Sequence, residues 1–272
     1  MRRLAIRPGG IGDSILGFPA LEHLAQDELV VWARSEVLPL IRFAECESIA
    51  ASGIENLGIP GRGLEPRLLE RLLGFDEIYS WYGAQRDEFR DALFAIHPNV
   101  KFLEALPIEG ATHAADFFAM QVGARVPAMP RIALETQEHR CIVIHPYSGS
   151  ASKNWALERF QLLGRWLEAS GRAVQFCALK RQMLPGARVI EDLAELGSWI
   201  AGGALYIGND SGITHLAAAC GARVLALFGP TNEAVWGPRG EAVHVLKVDD
   251  LDKLSVERVL DAALTQTGFL QD

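Results

Sequence analysis

The sequence has few cysteines, no long apolar run and no excess of positive charge, and each absence excludes a class of protein. Its four cysteines are far apart and form no CxxC pair, which argues against a zinc ribbon, thioredoxin-like chemistry and a disulfide framework. No stretch approaches the roughly 18 to 20 apolar residues of a membrane span. The apolar run after "MRR" is too short for a signal peptide. We therefore expect a soluble, cytoplasmic protein with free thiols.

The charge balance argues against nucleic acid as the main partner, because the formal net charge is −8 and nucleic acids favour basic surfaces. An anionic ligand remains compatible with this balance, since a few basic groups and helix N-termini suffice to bind one. The seven histidines show no HExxH or other metal-ligand spacing. The Asp250-Leu251-Asp252 pattern is interpreted as solvated or capping carboxylates. We expect no metal ion and no cofactor.

Short apolar, β-branched runs alternate with helical periodicity along most of the 272 residues, which is typical of an α/β protein with a parallel sheet. A stretch with two prolines and little periodicity lies between Gln121 and Thr136 and indicates a linker. We place a domain boundary there and predict two Rossmann-like, doubly wound parallel-sheet domains, residues 1–136 and 137–272. The predicted strands are "RLAIR" at the N-terminus and residues 29–33, 77–81, 140–145, 173–179, 204–208 and 223–229.

The first glycine-rich stretch, "RPGGIGD", follows an apolar strand and ends in a carboxylate. Gly10 and Gly12 match part of the dinucleotide fingerprint, but Ile15 stands where its third glycine should be. Asp13 would also repel the pyrophosphate of a dinucleotide. Two interpretations of Asp13 remain open: a helix N-cap, where aspartate is favoured, and a general base exposed at the carboxyl end of a strand.

Two further stretches predict an anion site in the C-terminal half. In "IHPYSGSASKNW" (144–155), a strand leads through small hydroxyl residues to Lys153 and then a helix, a combination suited to binding an anion. Taken alone, Lys153 is either an anion ligand or a solvated surface lysine. In "LYIGNDSGITHLAAACGARVLALFGPTNEAVWGP" (205–238), Gly212 begins a short helix whose backbone N–H groups could face a diphosphate. Asp210 could accept hydrogen bonds from sugar hydroxyls. His215 is either a ligand contact or a packing residue.

Together these three stretches resemble the heptosyltransferase family (glycosyltransferase family 9), most specifically through "GNDSGITHLAAACGARVLALFGPTNEAVWGP". The resemblance implies a GT-B fold, in which an acceptor-side N-terminal domain and a nucleotide-sugar-binding C-terminal domain face each other across a cleft. It also implies inverting, metal-independent transfer of a sugar, a heptose from an ADP-linked donor, to a lipopolysaccharide-core-like or other glycan or glycolipid acceptor. A membrane-borne acceptor would be approached peripherally, without a transmembrane segment.

The resemblance carries roles to individual residues. It makes Asp13 the catalytic base, with Gly10 and Gly12 in the acceptor-side loop. The residues it implies for donor binding are Ser148, Lys153, Asp210, Ser211, Gly212 and His215. The sequence departs from the family at Lys180 and Arg181, where an acidic residue usually suits the nucleotide ribose, and the N-terminal half is short. The alternatives are a GT-B-like nucleotide-sugar epimerase or hydrolase, and a non-catalytic nucleotide-sugar-binding protein.

Overall fold

A computed structural model describes residues 1–107, 112–180, 182 and 184–267 of the chain. The chain forms two compact units, Met1–Ala128 and Met129–Asp272. Residues 128–141, which have neither helix nor strand, contain both this division and the boundary predicted at residue 136.

The N-terminal unit is a five-stranded, all-parallel sheet with helical connections. Its strands are β1 (Arg2–Arg7), β2 (Glu28–Ala33), β3 (Glu45–Ser48), β4 (Glu77–Ser80) and β5 (Val100–Phe102). Its helices are α1 (Ile11–Leu24), α2 (Ile49–Ser52), α3 (Pro66–Leu73), α4 (Asp87–Ile96) and α5 (Ala114–Gln121).

The strand order β3-β2-β1-β4-β5 is that of a Rossmann-like unit, with β1 and β4 adjacent at the point where the chain changes direction across the sheet. In this fold, ligands bind outside the carboxyl ends of the strands at that switch point. The loop after β1, which leads to Asp13, therefore lies at the position where such a unit binds its ligand.

The C-terminal unit is a six-stranded parallel sheet. Its strands are β6 (Ile142–His145), β7 (Val174–Ala178), β8 (Arg188–Val189), β9 (Leu205–Asn209), β10 (Val224–Phe228) and β11 (Val243–Lys247). Its helices are α6 (Leu157–Ala169), α7 (Leu193–Ala201), α8 (Gly212–Ala219), α9 (Glu233–Trp236) and α10 (Val256–Gln266).

The order β11-β10-β9-β6-β7-β8 is the six-stranded Rossmann order, and its switch point lies between β6 and β9. All residues of β6, β9 and β10 are buried, as expected for central parallel strands covered on both faces. The same core includes Phe160, Leu163 and Leu167 of α6, whose spacing of three and four residues places them on one side of the helix. Ser255 caps α10 by accepting a hydrogen bond from the backbone N–H of Arg258.

The two doubly wound parallel sheets confirm the predicted fold class. All seven predicted strands are present, and the structure adds β3, β5, β8 and β11. Each of these four lies at an edge of its sheet.

Candidate functional site

The candidate donor site is formed by the two loops at the switch point of the C-terminal sheet. β6 and β9 end at nearly the same height of the sheet, since His145 at the end of β6 pairs with Gly208 of β9. The loop after β6 runs through residues 146–154 and includes a single 3₁₀ turn, Ala151–Lys153. The chain after β9 passes through Asp210 and enters α8. Two stretches far apart in sequence thus become neighbours, as the parallel topology requires.

Lys153 and Asp210 form an ion pair between these two loops, with the ammonium Nζ 2.8 Å from Oδ2 of the carboxylate. The Asp210 side chain is 6% exposed and that of Lys153 is 35% exposed. The carboxylate is therefore fixed in place while part of the lysine side chain remains open to solvent. A partly exposed ammonium held in this way can contact an anionic ligand as a point charge.

The beginning of α8 is held by hydroxyl groups. Ser211 is the N-cap, and its side chain accepts a hydrogen bond from the backbone N–H of Thr214. The hydroxyl groups of Ser211 and Thr214 lie 3.1 Å apart, and Thr214 also donates to the backbone carbonyl of Asn209. The Ser211 hydroxyl therefore caps the helix. Gly212, the first helical residue, has no side chain that would cover the backbone N–H groups at this helix end. His215 lies three residues further along α8 and is 6% exposed.

Asn209, the last residue of β9, ties the two loops together, and the sequence analysis did not single it out. Its side chain is fully buried. The amide oxygen accepts from the backbone N–H of Trp155 at 3.0 Å, and the amide nitrogen donates to the carbonyl of Pro146 at 2.9 Å. Because a backbone N–H only donates and a carbonyl only accepts, these two partners fix which way the amide faces. The available signal was a polar side chain that ends an otherwise apolar strand.

Asn154 closes the loop after β6 upon itself. Its side-chain oxygen accepts from the backbone N–H of Ser148 at 2.7 Å and lies 3.4 Å from the amide nitrogen of Asn209. The Ser148 hydroxyl donates to the carbonyl of Ser150 at 2.7 Å. The structure therefore places Ser148, predicted to bind the donor, in a loop that its own hydrogen bonds shape.

The segment after β7, where the sequence departs from the family pattern, is described only in part. Lys180 lies 3.1 Å from the carboxylate of Glu191, and both side chains are exposed. Arg181 lies outside the described residues. Gln182 accepts a hydrogen bond from the backbone N–H of Leu179, and the same amide oxygen is 3.0 Å from Nε2 of His145.

Asp13 lies in the first turn of α1 in the N-terminal unit. The N-cap of this helix is Gly10, so Asp13 is the third helical residue and does not cap the helix. Within the part of the chain that the structure describes, the Asp13 carboxylate has no hydrogen-bond or ion-pair partner. A Cβ at Gly9 would lie 2.9 Å from Cβ of Asp13, so the glycine leaves room for this side chain. A half-buried carboxylate at a switch point is thereby left available.

Arg7, the last residue of β1, is a second residue that the sequence analysis did not assign. It is 2% exposed, and its Nη2 donates to the backbone carbonyl of Asp13 at 3.0 Å. Burial lowers the pKa of Arg7 to about 10, while the Asp13 charge acts in the opposite direction. At neutral pH, Arg7 is therefore a buried cation beside the candidate base.

No group of three or more His, Cys, Asp or Glu side chains is arranged to hold a metal ion among the residues the structure describes. Asp250, from the DxD pattern, accepts a hydrogen bond from the backbone N–H of Asp252 at 2.9 Å and caps a 3₁₀ turn. In the described parts of the chain, every helix is too short or too polar to cross a bilayer.

Comparison with known proteins identifies a family model that matches residues 110–261, more than half of the chain; its description is glycosyltransferase family 9 (heptosyltransferase). The matched range contains the candidate donor residues, whereas Asp13 lies before it. No curated protein matches the chain.

Solved structures match over almost the whole chain. The E. coli ADP-heptose lps heptosyltransferase II is 16% identical, with a TM-score of 0.76 and complete coverage of both chains. A family 9 glycosyl transferase from Veillonella parvula DSM 2008 is 17% identical, with a TM-score of 0.72 and coverage of 100% of this chain and 97% of that one. E. coli heptosyltransferase WaaC with ADP is 17% identical, with a TM-score of 0.68 and coverage of 98% and 100%. At these identities the likeness shows the fold, that of GT-B heptosyltransferases.

Proposed function

Because the chain belongs to glycosyltransferase family 9, the heptosyltransferases, we propose that it transfers a heptose from an ADP-linked donor to a lipopolysaccharide-core-like or other glycan acceptor, with inversion and without a metal ion. In this proposal the N-terminal unit binds the acceptor and the C-terminal unit binds the donor. The enzyme works in the cytoplasm and reaches a glycolipid acceptor peripherally. The observation that carries the proposal is the Asp13 carboxylate, which lies at a switch point and has no partner in the described chain.

The proposed reaction is a single displacement. The Asp13 carboxylate removes the proton from an acceptor hydroxyl as that oxygen attacks the anomeric carbon of the donor sugar. The bond between the anomeric carbon and the phosphate oxygen breaks, and the nucleoside diphosphate leaves with the electron pair. Attack opposite the leaving group inverts the anomeric centre. The reaction therefore requires one general base and one set of groups that stabilise the leaving diphosphate.

The C-terminal loops supply groups suited to that leaving group. Lys153 offers a positive charge, and Gly212 opens α8, whose N-terminal N–H groups and dipole favour an anion. Such fixed dipoles and charges stabilise developing negative charge because they need little reorganisation during the reaction. Two of the solved relatives carry ADP or ADP-heptose in their descriptions, which supports ADP as the nucleotide here.

The decisive experiment is to replace Asp13 with asparagine and to measure both turnover and donor binding. Loss of a general base lowers a rate by about 10²- to 10⁴-fold, so D13N should lose kcat by that factor. Its donor Kd, measured by calorimetry, should stay within about twofold of wild type, because the donor groups lie in the other unit.

The matched control is Asp87→Asn, since Asp87 also lies in the first turn of a helix of the N-terminal unit but is exposed at the surface. We expect D87N to keep wild-type kcat. Wild-type turnover by D13N would refute the assigned base. Release of nucleoside diphosphate at an unchanged rate without acceptor would assign donor hydrolysis in place of transfer.

A further inference from the structure

Arg7 is a charged side chain in the interior of the N-terminal unit without the partner that such a charge usually has. Buried charges are normally paired with an opposite charge, because removing them from water is costly. Within the described chain, no carboxylate lies in ion-pair distance of Arg7, and its buried Nε has no hydrogen-bond partner.

Aromatic rings and a glycine enclose the Arg7 guanidinium. Its Cζ lies 4.0 Å from the ring centre of Phe118 on α5 and 5.3 Å from that of Trp81, just after β4. A Cβ at Gly17 of α1 would lie 2.9 Å from Nε of the arginine. The ring faces attract the cation, and the glycine makes room for it. These contacts hold a planar guanidinium against one side of α1.

The same guanidinium reaches the backbone of the candidate base, since Nη2 donates to the carbonyl of Asp13. This carbonyl lies in the first turn of α1, so the bond fixes the turn that carries the Asp13 side chain. The two side chains also interact electrostatically. Burial lowers the pKa of Arg7, and the negative charge of Asp13 acts to raise it.

We propose that Arg7 is a positioning residue for Asp13: its guanidinium holds the first turn of α1 and thereby fixes where the Asp13 side chain lies. This inference rests on the proposed function for its catalytic consequence. Arg7 is too deeply buried to contact a substrate, so it acts through Asp13 alone.

Other charged groups on the elements around α1 have partners of their own. Glu36, in the 3₁₀ segment after β2, pairs with Arg34 at 3.4 Å. On α5, Asp116 accepts from the backbone N–H of Ala128, and His113 caps the helix. Glu22 of α1 itself lies about two and a half turns from Asp13. Arg7 is therefore the charged group whose replacement tests how Asp13 is held.

The test compares Arg7→Met, which keeps an unbranched side chain but removes the charge and the donor groups, with Arg7→Lys, which keeps a cationic donor. Phe118→Leu is the structural control, because it removes a ring from the Arg7 site and retains the cation. For R7M we expect kcat to fall about tenfold, as for a small misplacement of a reacting group, with donor KM unchanged. We also expect faster backbone hydrogen exchange in the first turn of α1, because the hydrogen bond from the guanidinium to the Asp13 carbonyl is lost. R7K and F118L, which keep a cationic donor for this carbonyl, should stay close to wild type in both measurements.

Hydrogen exchange at the first turn of α1 separates failure of this inference from failure of the proposed function, because it needs no turnover, and exchange in β1 and β2 shows whether the unit is folded. Protection at residues 11–17 should be lower in R7M than in R7K or wild type, while β1 and β2 keep theirs. Unchanged exchange of this turn in R7M would overturn the inference, whatever D13N does, and so would an F118L variant that reproduced both effects of R7M. Active D13N would overturn the catalytic role of Asp13 and, with it, the catalytic consequence assigned to Arg7.

Discussion

The buried amide of Asn209 allows a sharp test of how the two C-terminal loops are held, through the nearly isosteric change Asn209→Asp. The carboxylate can still accept from the backbone N–H of Trp155. It can no longer donate to the carbonyl of Pro146, so its second oxygen faces the carbonyl oxygen of Pro146 with no hydrogen between them. The neighbouring cation, Lys153, already pairs with Asp210.

The magnitude follows from the contacts that are lost. A buried hydrogen bond contributes about 1 kcal/mol, and a buried acceptor left without a donor costs about 1–3 kcal/mol. A buried charge without a partner adds a cost of several kcal/mol after relaxation. We expect N209D to destabilise the C-terminal unit by about 4 kcal/mol at pH 7. Asn209→Ala, which removes the bonds without adding charge, should cost about 2–3 kcal/mol.

Hydrogen exchange followed by mass spectrometry suits this prediction, because it reports on each unit separately. Peptides from residues 142–157 and 205–219 should lose protection in N209D, whereas peptides from residues 1–128 serve as an internal control. Burial disfavours a charged carboxylate, so lowering the pH should protonate the new aspartate and let it donate to Pro146 again. N209D should then recover protection at acidic pH, and N209A should not. Unchanged exchange in both variants would show that the amide does not hold the loops.

Two further predictions concern the C-terminal unit. Lys153→Met should raise the donor Kd by about 10- to 100-fold, the equivalent of a charge-assisted hydrogen bond, and it leaves the Asp210 carboxylate unpaired. Lys253→Met is the control, since Lys253 is 82% exposed; calorimetry showing equal affinities for both variants would refute the assignment. Burial raises the pKa of the Cys177 thiol from 9.0 to about 12, so Cys177 should resist a thiol reagent at pH 8 until the protein unfolds. Its contribution to stability should be constant below pH 9 and decline as the pH rises from 9 towards 12; labelling of Cys177 in the native state would contradict both expectations.

The sequence predicts the central strands of both sheets because those strands are buried on both faces and are therefore continuous apolar runs. The edge strands lack this signal. β3 reads "ECES", with no buried residue, and both residues of β8 are exposed. These strands form because they pair with an inner strand, and such a long-range contact leaves no pattern in the local sequence.

The candidate site divides in a similar way. The loops and their glycines are visible in the sequence, because turn chemistry and helix starts are local. Asn209 and Arg7 are not, since their roles depend on groups that the fold brings from elsewhere: the backbone of Trp155 for the first, and the ring of Phe118 for the second. The N-cap of α1 also belongs to this group, since the local sequence favours Asp13 as a cap whereas the structure begins the helix after Gly10.

The loop after β6 is anchored at both ends, through the Ser148–Asn154 hydrogen bond and the contacts of Asn209. Residues 149–152, which lie between these anchors and before Lys153, form a segment whose ends stay in place when its middle changes. At Gly149, a Cβ would have no atom within 4 Å, so a side chain can be introduced there without a steric cost to the fold. Engineered variants can therefore carry different side chains at this surface while the hydrogen bonds that anchor the loop remain the same.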